Sequence, residues 1–360
     1  MRGEVAPHRH GPDLESSVPS PWPGRVVAPV VVIGLTLGVV LAAASARAPA
    51  TKPDDPLRDS ATGEMRLVMG TTAEIAAHGL DDPAPALDAA FAALALVDER
   101  MSLWKQSELA ALNRDGQGAV SPETFDVIRH ALEIAAASGG AFDPTVEPLV
   151  RARGGLGGPA RPLDAEAAGE LLARVDHRRV TLDPTTRTVR LAGGARLVLD
   201  ALAKGDAADR GLVALREAGA TGGLVDLGGS TLAVFGAPHT VDVRDPLGEG
   251  APWASLRMGE TALGTSGGDQ QPGHILDPRT GEPARGVLQA TVVAASAREA
   301  DALSTTVFVL GAGEGLAFLE KRGAAGLVLL LEDGRRVVRT TPGFAAAYDL
   351  LVAADVELRE

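Results

Sequence analysis

Residues 264–283 are GTSGGDQQPGHILDPRTGEP, and residues 296–311 are SAREADALSTTVFVLG. The first stretch is so rich in glycine and proline that it predicts ordered loops whose backbone can approach a ligand. The second predicts a helix, because Ser296 and Glu299 form a capping box, an apolar run follows and Gly311 ends it. Together the two stretches hold most of the residue types that metal-assisted phosphate chemistry needs.

Within this helix, Asp301 and Thr305 are four residues apart and therefore lie on the same face. A carboxylate and a hydroxyl are hard oxygen ligands, which suit Mg²⁺ better than zinc or copper. The simpler alternative is that Asp301 stabilises the first helical turn through the helix dipole while Thr305 packs. The neighbouring loops favour the magnesium hypothesis.

Composition limits the class of protein. The chain has 360 residues, of which 45% are hydrophobic, enough for one large domain or two small ones with a buried core. Because there is no cysteine, disulfides, thiolate metal sites and a cysteine nucleophile are excluded. The formal net charge of -13 argues against nucleic acid as a partner. An anionic ligand would need a bound cation to approach so acidic a protein.

The N-terminal region has the pattern of an exported protein. Residues 1–25 are a polar leader, and residues 26–46 are an uncharged apolar run of about the length that spans a bilayer. The run ends in Ala44-Ser45-Ala46, which resembles a signal-peptidase site. A transmembrane anchor is the favoured prediction and a cleaved signal segment the alternative. Residues 47–62 are predicted to be a linker, and residues 63–360 the globular domain.

Helices and strands do not alternate strictly in the globular part, and there is no internal repeat. The predicted helices cover residues 85–100, 107–113, 122–137, 163–175, 202–218, 297–310 and 313–321. The predicted strands cover residues 65–75, 177–182, 187–191, 197–199, 224–227, 232–235, 241–243, 254–258 and 287–294, with a hairpin over 327–340. This order predicts an α+β fold in which helices cover a largely antiparallel sheet.

Other familiar sites do not fit. The stretch from Gly264 to Gly268 matches the G-x-S-x-G pattern of a nucleophile elbow. That elbow needs a helix directly after the serine, and Pro272 together with Gly273 prevents one. The sequence contains no G-x-x-x-x-G-K phosphate loop and no H-E-x-x-H zinc helix.

A series of short motifs follows one order along residues 64–311. They are Met69-Gly70-Thr71, Ser107-Glu108-Leu109, residues 140–146, Ala203-Lys204-Gly205 with Asp209, Leu227-Gly228-Gly229, Thr265-Ser266-Gly267, residues 274–283 and residues 300–305. Together they resemble the ApbE family, the FAD:protein FMN transferases. Each motif alone is weak, but HILDPRTGEP over residues 274–283 makes the series specific.

The resemblance implies an enzyme that needs Mg²⁺, binds FAD, transfers the FMN half to a Thr or Ser hydroxyl of an acceptor protein and releases AMP. It implies that Asp301, Thr305 and the backbone carbonyl of Ala201 hold the metal. The residues it implies for FAD binding are Met69, Trp104, Ala141, Phe142, Asp143, Lys204, Ser266, His274 and Ile275.

The chemistry of these residue types suits the implied roles. Lys204 offers a point charge to phosphate, and Trp104 offers an aromatic face to a flat ring system. Asp301 would act in catalysis through the metal. The pKa range of histidine makes His274 the predicted base for the acceptor hydroxyl, with Asp277 as the alternative.

Three positions depart from the family pattern. Val198 stands where the family usually has aspartate, Asp206 where it has an aromatic residue, and Ser230 where it has an acid or amide. A missing carboxylate would weaken FAD binding, although Asp200 is close by and could replace it. Two alternatives to the transferase therefore stay open: a Mg²⁺-dependent FAD pyrophosphatase giving FMN and AMP, and a catalytically weak extracytoplasmic flavin-binding protein.

The resemblance also implies where the protein works. It implies an acceptor protein that carries a Thr/Ser flavinylation motif, which we expect to be an extracytoplasmic redox protein. The catalytic domain is expected on the outer side of the cytoplasmic membrane. Arg25 on one side of the apolar run and Arg47 with Lys52 on the other give little charge bias, so this orientation rests on the family.

Overall fold

The computed structural model describes residues 62–156, 163–248, 251–268 and 273–359. The predicted leader, the predicted membrane segment and nearly all of the predicted linker lie outside these described residues.

Helices and strands alternate irregularly along the described chain. The α-helices are α1 (Ala84–Met101), α2 (Glu108–Asp115), α3 (Pro122–Ala137), α4 (Glu147–Ala152), α5 (Ala165–Leu172), α6 (Asp200–Glu217), α7 (Ala297–Arg322) and α8 (Phe344–Ala347). The strands are β1 (Thr62–Val68), β2 (Thr71–His78), β3 (Gln117–Ala119), β4 (Val180–Asp183), β5 (Thr188–Leu191), β6 (Gly222–Leu227), β7 (Thr231–Phe235), β8 (His239–Val243), β9 (Ala254–Met258), β10 (Thr261–Gly267), β11 (Gln289–Ala294), β12 (Ala325–Glu332), β13 (Arg335–Thr340), β14 (Leu351–Val352) and β15 (Val356–Arg359).

Nine of these strands form one main sheet in the order β1-β2-β6-β7-β10-β11-β12-β13-β15. Neighbouring strands are antiparallel except for β13 and β15, which are parallel. Two small sheets, β14-β9-β8 and β3-β5-β4, lie beside it. The α+β prediction with a largely antiparallel sheet is therefore confirmed.

Both faces of the main sheet are packed. Ile75 of β2 and Val225 of β6 are buried in one apolar cluster with Leu94 of α1 and residues of α6. The other face packs against β8 and β9, where the buried Trp253 donates its indole N–H to the Gln289 side-chain oxygen at 2.6 Å. Helix α7 is long and apolar enough to cross a membrane by those criteria alone, but half of its most apolar window is buried inside the domain. Helix α7 thus behaves as a core helix, supported by its own cluster with β11 and β12.

The predicted serine caps are confirmed, but the predicted capping box at Ser296 is only half formed, because the Glu299 carboxylate pairs with Arg322 and His130. Ser296 precedes α7, and its hydroxyl accepts a hydrogen bond from the Glu299 backbone N–H at 3.2 Å. Gly311 interrupts α7 with φ 79° and ψ 174°, a conformation that favours glycine. Ser107 and Ser121 cap α2 and α3 in the same way as Ser296. Local hydrogen bonding of short polar side chains therefore sets these helix starts.

Two strand predictions are wrong. Residues 65–75 form a hairpin and not one strand, because Met69 and Gly70 adopt φ of 54° and 72° and turn the chain between β1 and β2. Residues 197–199 form no strand. The Asn113 side chain donates to the Leu197 carbonyl at 2.8 Å and accepts from its N–H at 2.7 Å. These bonds satisfy the Leu197 backbone without a neighbouring strand, and α6 begins directly afterwards.

The prediction that residues 264–267 form a loop is also wrong, because they belong to strand β10. The backbone of Gly264 pairs with Thr231 on one side and Val292 on the other. A Cβ added at Gly264 would lie only 2.6 Å from the backbone nitrogen of Asp301. Glycine is therefore required in this strand because the backbone of α7 passes directly over it.

Candidate active site

A cavity of about 760 Å³ opens at one end of the main sheet. The turn at Met69–Gly70, the turn at Gly228–Ser230 and the C-terminal end of β10 meet there, because antiparallel pairing brings them to the same edge. All but one of the residues predicted for the site line this cavity. Those that do are Met69, Trp104, Ala141, Phe142, Asp143, Ala201, Lys204, Ser266, His274, Ile275, Asp301 and Thr305.

The start of α7 is wedged between α6 and β10. A Cβ at Gly205 of α6 would lie 2.6 Å from the Arg298 Cα, so glycine permits this close approach as Gly264 does from the other side. The Asp209 carboxylate accepts hydrogen bonds from the backbone N–H groups of Ala297 at 2.7 Å and Arg298 at 3.0 Å. These contacts fix the first turn of α7 and thereby the position of Asp301.

Asp301 is the most deeply placed carboxylate of the site, with 4% of its surface exposed. It accepts hydrogen bonds from the Gly205 N–H at 3.1 Å and the Thr231 hydroxyl at 3.3 Å. Since a helical N–H at Gly205 points toward the carbonyl of Ala201, the carboxylate is brought close to that carbonyl. Burial raises the pKa of Asp301, while Lys204 and the two hydrogen bonds act against this.

Hydroxyl groups surround the next turn of α7. The Ser266 hydroxyl lies 3.1 Å from that of Thr305 and 2.9 Å from that of Ser304. The Ser304 hydroxyl also donates to the Asp301 carbonyl at 2.9 Å. The described residues contain no group of three or more acidic or histidine side chains able to hold a metal. One carboxylate with neutral oxygens suits Mg²⁺, which is often held by one or two carboxylates plus substrate phosphates.

Positive charge enters the cavity from α6 and from the loop after β8. Lys204 donates from Nζ to the Ser230 hydroxyl at 2.8 Å, and Arg244 donates from Nη2 to the Gly228 carbonyl at 3.3 Å. Asp226 also lines the cavity; burial raises its pKa, and a hydrogen bond from the Gly229 N–H opposes the rise. Asp226 stands two residues before the recognised Gly228–Gly229 pair, a sequence signal that could have indicated it, whereas Arg244 reaches Gly228 only through the fold.

The other end of the cavity is apolar and aromatic. Trp104 is 66% exposed, so one face of its indole is available to a ligand, whereas Phe142 is buried. The Asp143 carboxylate is already occupied, because it accepts bonds from Thr145 N–H at 2.8 Å and from His177 N–H at 2.8 Å. Asp143 therefore shapes the wall of the cavity through its turn.

The two predicted bases have different surroundings. His274 is exposed and lines the cavity. Asp277 does not line it; its carboxylate accepts bonds from the Arg279 N–H at 2.9 Å, Nε at 2.9 Å and Nη2 at 2.8 Å. Burial tends to raise the pKa of Asp277, but the Arg279 bonds outweigh it and the pKa is lowered. A carboxylate so engaged is a weak base, which leaves His274 as the better candidate.

The three departures from the family pattern lie in different places. Val198 and Ser230 line the cavity. Asp206 does not; it is buried and pairs with Arg210 at 2.7 Å and with Arg298 at 3.4 Å. Asp206 therefore has a structural role between α6 and α7.

A buried carboxylate, several hydroxyl groups, a lysine and an exposed indole line one cleft, an arrangement that suits the class of enzymes acting on nucleotides, because lysine binds phosphate and the indole offers a face to a base. Sequence comparison makes this class specific. The chain belongs to the ApbE family, whose model matches residues 69–328.

Named relatives and a solved structure agree with this family. The FAD:protein FMN transferase of Rhodobacter capsulatus is 32% identical over 324 residues, which are 84% of this chain and 60% of that protein. The FAD:protein FMN transferase of Treponema pallidum is 32% identical over 279 residues, 69% of this chain and 76% of that protein. The crystal structure of the ApbE protein from Thermotoga maritima matches with a TM-score of 0.71 and 27% identity, covering 75% of this chain and 94% of that one. The chain thus spans less than two thirds of the Rhodobacter relative but nearly all of the Thermotoga structure.

Proposed function

We propose that this protein is a Mg²⁺-dependent FAD:protein FMN transferase. The acceptor hydroxyl oxygen bonds to the phosphorus of the FMN half, the bond from that phosphorus to the bridging oxygen breaks, and AMP leaves with that oxygen. The hydroxyl proton passes to a base of the protein. The observation that carries this proposal is the buried Asp301 carboxylate, which accepts the Gly205 N–H of α6 and lies one helical turn from Thr305 in a cavity that Lys204 and Ala201 also line.

The residues present fit Mg²⁺. Their donor atoms are a carboxylate, a hydroxyl and a backbone carbonyl, all hard oxygens, and Lys204 is the cation that acts on the charge of Asp301 among the described residues. When bound, Mg²⁺ supplies Lewis-acid polarisation of the pyrophosphate and neutralises charge on the departing AMP.

The chain's own side chains supply binding and proton transfer. Lys204 reaches across to the Gly228–Ser230 turn and places its charge where phosphate oxygens would lie. Trp104 offers a face for the isoalloxazine or adenine ring at the mouth of the cavity. His274 lines the same cavity, and its imidazole can accept the acceptor's hydroxyl proton.

One assay separates the transferase from its alternatives. Purified protein is incubated with FAD, Mg²⁺ and a candidate acceptor, and the acceptor is weighed by mass spectrometry. An acceptor that gains the mass of FMN supports the transferase, free FMN with AMP supports the pyrophosphatase, and unchanged FAD supports a binding protein.

Substitutions on α7 test the metal assignment. Asp301→Ala should lower Mg²⁺-dependent turnover by at least the roughly 10–100-fold seen for residues that support metal ligands. Thr305→Ala should do less, since a water can replace a neutral hydroxyl on the metal. Glu320→Ala removes a carboxylate from the exposed side of the same helix and should leave turnover unchanged. Wild-type turnover by Asp301→Ala at low Mg²⁺ would show that this carboxylate does not hold the metal.

We also propose that the domain acts outside the cytoplasmic membrane on an extracytoplasmic redox protein carrying a Thr/Ser flavinylation motif. The apolar run over residues 26–46 supports export, and the family supports the acceptor. Alkaline phosphatase fused after residue 62 should be active, because alkaline phosphatase matures only after export. An inactive fusion that is present at normal level would place the domain inside.

A further inference from the structure

A second carboxylate of the cavity has no role in the mechanism above. Asp200 is the first residue of α6, and its side chain opens into the same cavity as Asp301. Its charge interacts with Lys204 and with Asp301, and no donor among the described residues forms a hydrogen bond to it. Asp200 is therefore held in the cavity by its position on the helix and not by a partner.

Lys204 is the cation that both carboxylates share. It lies four residues after Asp200 on α6, the spacing at which opposite charges on a helix attract. Its ammonium group nevertheless donates to the Ser230 hydroxyl at 2.8 Å. Lys204 thus faces three carboxylates, those of Asp200, Asp301 and Asp226, where the pyrophosphate of FAD would bind, while Arg244 also acts on Asp226. Asp200 adds to the excess of negative charge around Lys204, and its removal would reduce that excess.

We propose that Asp200 couples the binding of the divalent cation to the binding of FAD. Its carboxylate attracts the cation to the Asp301 site and repels the pyrophosphate when that site holds no cation. A bound divalent cation reverses the sign of the local charge, so FAD binds well only together with the cation. This inference rests on the proposed function for the identity of the two ligands.

A different role for Asp200 predicts the opposite change in FAD affinity. A carboxylate that accepts hydrogen bonds from ribose or ribityl hydroxyls would strengthen FAD binding whether or not the cation is present. Removing its charge would then weaken FAD binding in the absence of metal, whereas charge coupling predicts that FAD binding becomes tighter. The direction of this single change decides between the two roles.

The test measures binding by the full-length protein with no turnover required. Asp200→Asn keeps the shape of the side chain and removes its charge; Asp200→Ser serves as a second variant that also suits a helix start. Mn²⁺ binding is measured by electron paramagnetic resonance, and FAD binding by flavin fluorescence, once in EDTA and once with Mg²⁺. We expect Mn²⁺ affinity to fall about 3–10-fold and FAD affinity in EDTA to rise by a similar factor.

Glu217→Gln is the matched control, because Glu217 is an exposed carboxylate on the same helix as Asp200 and does not line the cavity. It should change neither affinity by more than about twofold. Weaker FAD binding by Asp200→Asn in EDTA, unchanged affinities, or the same changes in Glu217→Gln would each overturn the coupling. Failure of FMN transfer by the wild type would overturn the proposed function alone, whereas a wild type that binds neither ligand would overturn both.

Discussion

Replacing Gly264 with alanine should both destabilise the domain and damage the proposed metal site. The new Cβ would lie 2.5 Å from the Ala300 carbonyl carbon and 2.6 Å from the Asp301 nitrogen. These distances are about 1 Å below ordinary contact, and the atoms belong to backbone that cannot rotate away. Overpacking of this kind costs about 1–3 kcal/mol, which corresponds to a fall in Tm of about 2–10 °C for a domain of this size.

The clash would displace α7 in a direction that a functional assay can detect. To relieve the clash, α7 must move away from β10, and Asp301 moves with it, away from the Gly205 N–H and the Thr231 hydroxyl that now hold it. Differential scanning fluorimetry with and without Mg²⁺ should therefore show a lower Tm and a smaller Mg²⁺-induced increase. FAD turnover should need more Mg²⁺ to reach its half-maximal rate.

Gly313 provides the matched control, because it lies in the same helix and an added Cβ would meet nothing within 4 Å. Gly313→Ala should leave the Mg²⁺ response intact and raise stability by up to about 1 kcal/mol, since alanine is the better helix former. If Gly264→Ala keeps both the wild-type Tm and the wild-type Mg²⁺ response, close packing of α7 on β10 is not what positions Asp301.

Two further predictions concern pH and the aromatic wall. Burial raises the pKa of Asp301 in the folded protein above its value in the unfolded chain, which is about 4. The stability that protonated Asp301 contributes to the metal-free protein is therefore fully present below that unfolded pKa and is lost as pH rises through the folded pKa. Mg²⁺ needs the ionised form, so the Mg²⁺-induced rise in Tm should grow across that same pH window, and a response independent of pH would contradict the assignment. Trp104→Ala should weaken FAD binding about 2–10-fold by fluorescence titration with almost no change in Tm, because the indole is 66% exposed; an equal loss of stability would show a packing role instead.

Local signals in the sequence predicted much of the helical framework. Ser107, Ser121 and Ser296 each stand before a run of helix formers, and each hydroxyl accepts a backbone N–H at the predicted helix start. The Asp333–Gly334 turn was likewise predictable, because both residues adopt the positive φ that a tight hairpin requires. Such features depend on residues a few positions apart, so one sequence is sufficient to find them.

Features that depend on distant packing could not be predicted. Strand β10 contains two glycines in seven residues, Gly264 and Gly267, and glycine disfavours a strand by local propensity. It is a strand because β7 and β11 pair with it on both sides and α7 covers Gly264. In the same way, Asp277 looked available as a base until the fold placed Arg279 on its carboxylate.

On the proposed function, the arrangement around Asp301 explains why one buried carboxylate can be sufficient to hold Mg²⁺. Its pKa is raised by burial, which means that ionisation costs free energy until a cation arrives. A site with one strong anionic ligand leaves most coordination positions of Mg²⁺ to water and to substrate phosphates, so the cation binds best when FAD is present. FAD depends on the cation in the same way, because its phosphates carry negative charge and can enter the cavity of this acidic protein only when the cation offsets that charge. On the proposed function, metal and FAD are therefore mutually dependent ligands, and the close glycine packing of α7 keeps the single carboxylate where both can use it.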